Sequence, residues 1–285
     1  MRRARVVVVG AGVVGLSSAV CVAEALPFCS VTLLAEKFSP HTTSDGAAGI
    51  LFPAEFPDVP VERQRRWFKS SFDHLLDIAQ SQHSPEAGVM LSSGWQIFKD
   101  ASADKKPFWS ELVIGFRFMT DSELKRFPDH KFGQAFTTIK CECSSYLPWL
   151  EKRFRRAGGQ VEQRKANSLQ ELSNSYDVIV NCSGLGSKLL VEVDEGDTKS
   201  ILERCGRLEP SIGKAKVLDE WVGLRPSRRN PRVEREAVQL QGRRVPVVHN
   251  YGHGASGVTL AWGTALDALG LVRQSLHEVL PQAKL

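Results

Sequence analysis

The sequence contains no internal repeat and no low-complexity tract, which excludes a solenoid, a propeller and a long unfolded arm. Its six cysteines, Cys21, Cys29, Cys141, Cys143, Cys182 and Cys205, show neither a C-x-x-C pair nor zinc-ligand spacing. That excludes a zinc module and leaves reduced structural thiols of a reducing compartment. The C-x-C at Cys141 and Cys143 is expected on a β-like segment, with both side chains on one face. Charge of one sign is scarce as well: a net charge of +5 over 285 residues is too small and too scattered for a nucleic-acid surface. The densest basic run, "RPSRRNPRVER" from Arg225 to Arg235, holds prolines and no interleaved aromatics, and reads mostly as a solvated loop. An unbroken apolar run at the N-terminus is also missing. "MRRAR" and the apolar residues up to Leu26 imitate a signal peptide or an anchor, but three glycines, two serines and Glu24 interrupt them. A strand, a turn and a helix suit that stretch better, and no membrane span is expected.

What the chain does have is a glycine-rich turn near each end. Val6–Val9 reads as a buried strand, Val13–Leu26 as a helix stopped by Pro27, and Ser30–Glu36 as the next strand, a strand–helix–strand unit of the parallel kind. Gly10-x-Gly12-x-x-Gly15 lies between the first strand and the helix. There Gly10 permits a tight turn, Gly12 lets backbone approach a pyrophosphate, and Gly15 lets helix and strand pack closely. The helix N-terminus offers free N–H groups to phosphate oxygens. Glu36, 21 residues after Gly15, stands where an acid accepts from ribose hydroxyls. This fingerprint predicts a dinucleotide and leaves a nicotinamide or a flavin coenzyme open. Pro246–Gly270, "PVVHNYGHGASGVTLAWGTALDALG", carries five glycines from Gly252 onward. A flavin dinucleotide is the longer of the two, and its ring must be held by segments remote from the first unit. A helix beginning after Gly257 would point its N-terminus at that ring.

Between the two turns, "RQRRWFKSSFDHLLDIAQ" sets Phe68, Phe72, Leu75, Leu76 and Ala79 on one helix face. The β-like runs "VMLSSGWQIF", "LVIGFRFM" and "FGQAFTTI" follow without helix-sized spacers and suggest an antiparallel layer. They frame a capping box, Thr120-x-x-Glu123. "SYLPWLEKRFRRAGG" is a helix closed by Gly158 and Gly159, "YDVIVNCSGLGS" a strand entering a small-residue loop, and "LDALGLVRQSLHEVL" a last helix. Parallel elements come from the start, middle and end, with antiparallel ones between. That order predicts an α/β nucleotide-binding domain interrupted by a second domain.

"VVHNYGHGASGVTLAWGTA" resembles, throughout its length, the signature of the D-amino-acid oxidase family of flavoproteins. "VVVVGAGVVGLSSAVC", "HTTSDGAAGILFP", "SGWQIF", "FGQAFTTIKCEC", "YLPWLEKR" and "NCSGLGS" extend the likeness over nearly the whole chain, toward members that act on acidic substrates. The resemblance implies an FAD-binding Rossmann-type βαβ domain with a parallel sheet, over 1–52, 140–190 and 245–285. A mostly antiparallel α+β substrate domain would occupy 53–139 and 191–244. It implies an FAD-dependent oxidase converting a D-amino acid, D-aspartate or a relative, to its imino acid, with oxygen as acceptor and hydrogen peroxide as product. Carried over by position, Glu36 and Lys37 would lie by the adenosine. Thr43, Ser44, Gly49 and Ile50 would line the pyrophosphate and flavin, and Ala166, Cys182, Ser183 and Gly184 would add backbone contacts. Gly254, Ser256, Gly257, Val258 and Thr259 would hold the ring edge, with Ala255 beside the substrate. Arg225 matches the substrate arginine, whose planar guanidinium grips an α-carboxylate with two parallel bonds. Hydride transfer then needs orientation more than an acid or base, so no catalytic side chain and no metal is expected. His249 and His253 show no acid–base partner and read as structural. The terminal Ala283-Lys284-Leu285 resembles the S-K-L address of the peroxisomal import receptor.

One stretch departs from the family. After "NCSGLGSKLL" the family runs through several more strands of the substrate sheet, whereas "VEVDEGDTK" here leads directly to "SILERCGRLEPS". The family's active-site tyrosines fall in that gap, and Tyr146, Tyr176 and Tyr251 do not match them. A shortened form is expected to bind FAD more weakly and to turn over slowly or not at all, because an opened pocket hydrates the arginine–carboxylate contact. A non-catalytic flavin- or partner-binding form, an oxidase of neutral D-amino acids and a nicotinamide dehydrogenase are the alternatives.

Overall fold

The computed structural model describes residues 3–100, 106–184, 195–218, 225–240 and 242–279, with backbone alone at 195–198. Strand β1 (Arg5–Val9) owes its form to consecutive valines, each buried. Such unbroken apolar runs belong to strands covered on both faces. Val6 and Val8 pack under α1 (Val13–Ala25), while Val7 and Val9 join Leu34, Leu172, Ile179 and Val247 on the opposite face. Strand β2 (Ser30–Ala35) lies parallel beside β1.

The chain then forms α2 (Val61–Ala79), the short α3 (Ser84–Ala87), β3 (Val89–Phe98), β4 (Ile114–Phe118), the short α4 (Asp121–Leu124) and β5 (Phe132–Cys141). It continues through α5 (Cys143–Arg156), β6 (Gln160–Gln163), β7 (Val178–Asn181), α6 (Glu195–Leu208), β8 (Ser227–Leu240), β9 (Arg243–His253) and α7 (Gly257–Val279). Two sheets result. The larger has the order β6-β2-β1-β7-β9-β8, parallel except for the antiparallel edge strand β8; the smaller is antiparallel, β3-β5-β4. A Rossmann-type sheet with a separate antiparallel sheet is therefore the observed architecture. Thr120 and Glu123 form the expected capping box, and Gly158 follows α5 in the left-handed conformation (φ 84°).

Two expectations are corrected. The basic run read as a solvated loop is, from Ser227 on, strand β8. Its pairing with β9 shifts between Ser227 and Arg232, which accommodates Pro231, a residue with no N–H to give to a ladder. Cys141 and Cys143 do not share one strand face: Cys141 ends β5 and Cys143 opens α5. Both are buried free thiols, and the contact with Cys143 together with burial pushes the Cys141 thiol well above its ordinary value.

The C-terminal helix is apolar and long enough to cross a membrane, but 61% of its apolar window is buried, with Leu260, Ala265 and Val272 in the main core. It meets α2 closely at Gly263, whose N–H donates to Ser71 Oγ (2.9 Å).

Candidate functional site

The candidate residues gather at the carboxyl ends of the parallel strands, where open α/β sheets bind their ligands. Gly10 follows β1, Glu36 follows β2, Ala166 follows β6, Cys182 follows β7 and Gly254 follows β9. Gly10 adopts φ 109°, and a Cβ there would lie 2.5 Å from the Cys182 carbonyl oxygen. A Cβ on Gly15 would lie 1.9 Å from the Gly10 carbonyl oxygen. The turn is thus closed by backbone against backbone, and side chains at these two positions have no room.

Gly12 is the N-cap of α1 and supplies no side-chain cap. Ser44 does so from a distant loop: its Oγ accepts from Val13 N–H at 3.0 Å. The first intrahelical bond runs from Leu16 N–H to Gly12 C=O, so Val14 and Gly15 keep N–H groups without a helix acceptor. No acidic residue stands in this first turn, so the positive end of the helix dipole is uncompensated. The Ser44 loop is set by Asp45, whose carboxylate accepts from Thr42 N–H (2.9 Å), Thr42 Oγ1 (2.7 Å) and Ser39 Oγ (2.5 Å). Thr43 is exposed beside it.

The second glycine-rich segment arrives at the same place. Gly257, the first residue of α7, lies where a Cβ would touch Val13 Cγ1 at 3.9 Å, so two helix N-termini adjoin. Val258 and Thr259 are buried in the first turn of α7, and Ser256 Oγ accepts from Ala54 N–H at 3.3 Å. Ala255 is exposed. Gly254 N–H donates to the Pro226 carbonyl at 3.2 Å, and a Cβ on Gly184 would meet Pro226 Cβ at 4.0 Å. The loop after β7, the approach to β8 and the turn after β9 therefore converge, and they bring Arg225 to the rim of the cleft. Arg225 is exposed and has no ion-pair partner among the described residues.

Gly49 (φ 69°) lies against Cys141, whose N–H donates to the Gly49 carbonyl at 2.8 Å, and Ile50 bridges to Lys140. This threads the loop along β5 and joins the two sheets. Ile50 is 44% exposed and Phe52 37%, with Phe52 resting on the rings of Trp109 and Phe136 at 6.3 and 6.4 Å. Phe52 was not singled out from the sequence; the signal was "ILF", three apolar residues in a stretch of loop chemistry. Glu36 and Lys37 are exposed beyond β2, with Lys165 Nζ 4.0 Å from Glu36; Ala166 packs on the Val7–Leu34 cluster. They stand at the far end of the row from Gly254. Ser183 is exposed after β7 and donates from N–H and Oγ to Asn181 Oδ1.

The two histidines have partners that the sequence did not reveal. His249 Nδ1 accepts from Asn181 Nδ2 (3.2 Å), and its Nε2 donates to Glu236 (2.8 Å). Burial lowers the His249 pKa, opposed by Glu236. His253 Nε2 meets Thr264 Oγ1 at 3.0 Å, and burial lowers its pKa to about 4. Burial drives the Cys182 thiol the other way, up to about 12, so this residue offers its backbone and not a nucleophile. His253 and Cys182 are thus not set to exchange protons near neutrality, which suits a reaction that depends on orientation.

The arrangement fits a dinucleotide as long as FAD. Backbone-closed glycine turns, two adjoining helix N-termini free of acids and a continuous row of strand ends would hold a diphosphate at Gly12, Val14 and Ser44. The ring would lie toward Gly49, Ile50 and Gly254–Thr259.

Comparison with known proteins agrees with this reading. The DAO family model, described as FAD dependent oxidoreductase, matches residues 5–194 and 190–268. The chain is 44% identical to human "D-aspartate oxidase" over 330 residues, covering 97% of each chain. It is 33% identical to the "D-amino-acid oxidase" of Rubrobacter xylanophilus over 329 residues, covering 96% of this chain and 97% of that one. Among solved structures, glycine oxidase from Bacillus cereus superposes with a TM-score of 0.66 at 16% identity, covering 96% of this chain and 95% of that one, a likeness of fold.

Proposed function

Because this chain belongs to the DAO family of FAD-dependent oxidoreductases, which act here by oxidative deamination of amino acids, we propose that its substrates are acidic D-amino acids, D-aspartate first. When bound, FAD would supply the two-electron chemistry by which a hydride equivalent leaves the substrate Cα, with oxygen as the final acceptor and hydrogen peroxide as product.

The chain's own residues bind and orient. Arg225 carries the proposal: an exposed guanidinium at the rim with no ion-pair partner among the described residues, anchored where Pro226 C=O accepts from Gly254 N–H, can take the α-carboxylate by two parallel bonds. Ala255 is small and exposed beside it and leaves room for the substrate amine and Cα. Ile50 and Phe52 offer an apolar floor that sheds water from the reacting face. The diphosphate is held by α1 through Val14 and Gly15 N–H, with Ser44 fixing that turn. Glu36 and Lys37 would reach the adenosine end, Ala166 and Cys182–Gly184 the backbone contacts between. Val258 and Thr259 present the α7 N-terminus to the ring.

The chain is also proposed to be a shortened member. A 330-residue alignment against 285 residues leaves at least 45 positions of the human relative with no counterpart, and the family match breaks at 190–194. The exposure of Ile50, Phe52 and Arg225 supports the same reading, that one wall of the substrate pocket is thin. Turnover should then be slow, because water competes for Arg225. Ala283-Lys284-Leu285, which lies outside the described residues, supports a peroxisomal address by its likeness to S-K-L.

The experiment is to load the purified chain with FAD and measure peroxide from D-aspartate, D-alanine and L-aspartate. Peroxide from D-aspartate above the other two supports the assignment. Preference for D-alanine, or none, refutes it.

A further inference from the structure

The segment that carries Arg225 joins its sheet through a break in the pairing. β8 meets β9 at Ser227–His253 and again from Arg232–Tyr251, so Arg228, Arg229, Asn230 and Pro231 together stand opposite Gly252 alone. Gly252 (φ 85°) makes room for this bulge, because a Cβ there would lie 2.2 Å from Arg228 Cδ. Residues of a bulge are left out of the ladder and need other support. Arg225 lies just before it, where Ser227 N–H donates to the Arg225 carbonyl at 2.8 Å.

Asp58 supplies that support from across the cleft rim. Its carboxylate accepts from Arg229 Nε (2.5 Å), Arg229 Nη2 (3.1 Å) and Asn230 Nδ2 (2.7 Å). Its own N–H donates to Asn230 Oδ1 at 3.3 Å. The side-chain bonds hold the Asp58 carboxyl below its usual range. A lone ion pair at a surface contributes little, but here two adjacent residues of the bulge are gripped together. Asp58 is itself fixed. It belongs to the turn Phe56–Val59, closed by Val59 N–H to Phe56 C=O at 3.2 Å. The buried Gln64 amide spans this turn, accepting from Phe56 N–H (2.9 Å) and donating to the carbonyls of Phe56 (2.9 Å) and Val59 (2.7 Å). Phe56 is anchored in the main core, so the turn is a firm post beside the bulge.

We infer that Asp58 is a positioning residue for the substrate: by gripping Arg229 and Asn230 it fixes the direction in which Arg225 offers its guanidinium. The inference rests on the reading of Arg225 as the carboxylate-binding arginine. It commits to a sign. The negative charge of Asp58 opposes an anionic ligand at the same rim, so a purely electrostatic role predicts tighter binding once that charge is removed. Positioning predicts the reverse, because an arginine free to swing loses the alignment of its two parallel bonds. Asparagine at 58 separates the two effects, since it removes the charge but keeps the size and a carbonyl acceptor.

The test uses the full chain loaded with FAD and succinate as the probe. Succinate is a dicarboxylate with no amine to oxidise, so binding is read from the visible flavin spectrum whatever the turnover. Asp58→Ala should raise the succinate dissociation constant about tenfold. Asp58→Asn should raise it by a smaller factor, and FAD affinity should stay at the parent value in both. Amide hydrogen exchange in Asp58→Ala should quicken in residues 225–232 and remain unchanged in α1. A parent that takes up no succinate, or an Arg225→Ala variant that binds it as the parent does, removes the premise and the inference together. Succinate binding lost in Arg225→Ala but unchanged or tightened in Asp58→Ala overturns the positioning role alone. So does exchange in 225–232 that keeps the parent rate, or a matching fall in FAD affinity.

Discussion

Gly257 and Val13, 244 positions apart in sequence, lie in contact distance, with 3.9 Å between Val13 Cγ1 and the place a Gly257 Cβ would occupy. The N-termini of α7 and α1 are thereby presented to the same cleft. Gly257→Ala makes an ordinary contact there and should bind FAD nearly as the parent does. Gly257→Leu fills the space between the helices and should raise the FAD dissociation constant more than tenfold, about 1.4 kcal/mol or more. Its thermal midpoint should shift by only a few degrees. Flavin fluorescence titration and calorimetry on both variants check this pair of outcomes.

Gly15→Ala should behave differently, because its Cβ would sit 1.9 Å from a backbone oxygen that cannot swing aside. The expected cost is about 3 kcal/mol of stability or loss of the fold. Urea unfolding with and without FAD measures it. A variant as stable as the parent would show that the β1–α1 turn is looser than described.

Arg225→Ala should raise KM for D-aspartate about a hundredfold, the loss of about 3 kcal/mol from two charge-assisted bonds. FAD affinity should be unchanged, because Arg225 stands at the rim and closes no backbone turn. Arg225→Lys keeps the charge but loses the planar fork, and should recover only a small part of the effect. Equal KM in all three proteins would remove Arg225 from the substrate site.

Acid should destabilise the fold through buried histidines. Burial lowers the pKa of His74 to about 3 and that of His253 to about 4. Below pH about 6.5 the unfolded chain takes up protons at these groups and the folded one does not, so stability falls with pH. Each contributes about 1.4 kcal/mol per pH unit between 6.5 and its folded value. His74 is stacked on Trp262 at 3.5 Å and bonded to Tyr146 OH, so His74→Phe keeps the stack and removes the titration. Urea unfolding between pH 7 and 5 should show a shallower slope in that variant by about one proton; an unchanged slope would contradict the neutral, buried histidine.

Much of the larger sheet was legible because its signals are local. Four consecutive valines, the glycine spacing after them and the helix stopped at Pro27 all act within one short segment. Strand β8 was not, because the prolines and arginines that mark a loop also protect an edge, and only its pairing with β9 tells the two apart. The partner of His249 was hidden for a related reason. Glu236 lies on the neighbouring strand, and no spacing in the sequence reveals a cross-strand register. Phe52 was legible only as an oddity, since its worth depends on Trp109 and Phe136, which arrive from later in the chain.

The most direct test is to strip the purified protein of coenzyme and titrate it with FAD, following flavin fluorescence and the visible absorbance of the complex. The account predicts saturation at one FAD per chain, with an affinity weakened more than tenfold in Gly257→Leu and retained in Arg225→Ala. Well-folded protein that remains colourless and takes up no FAD would contradict it.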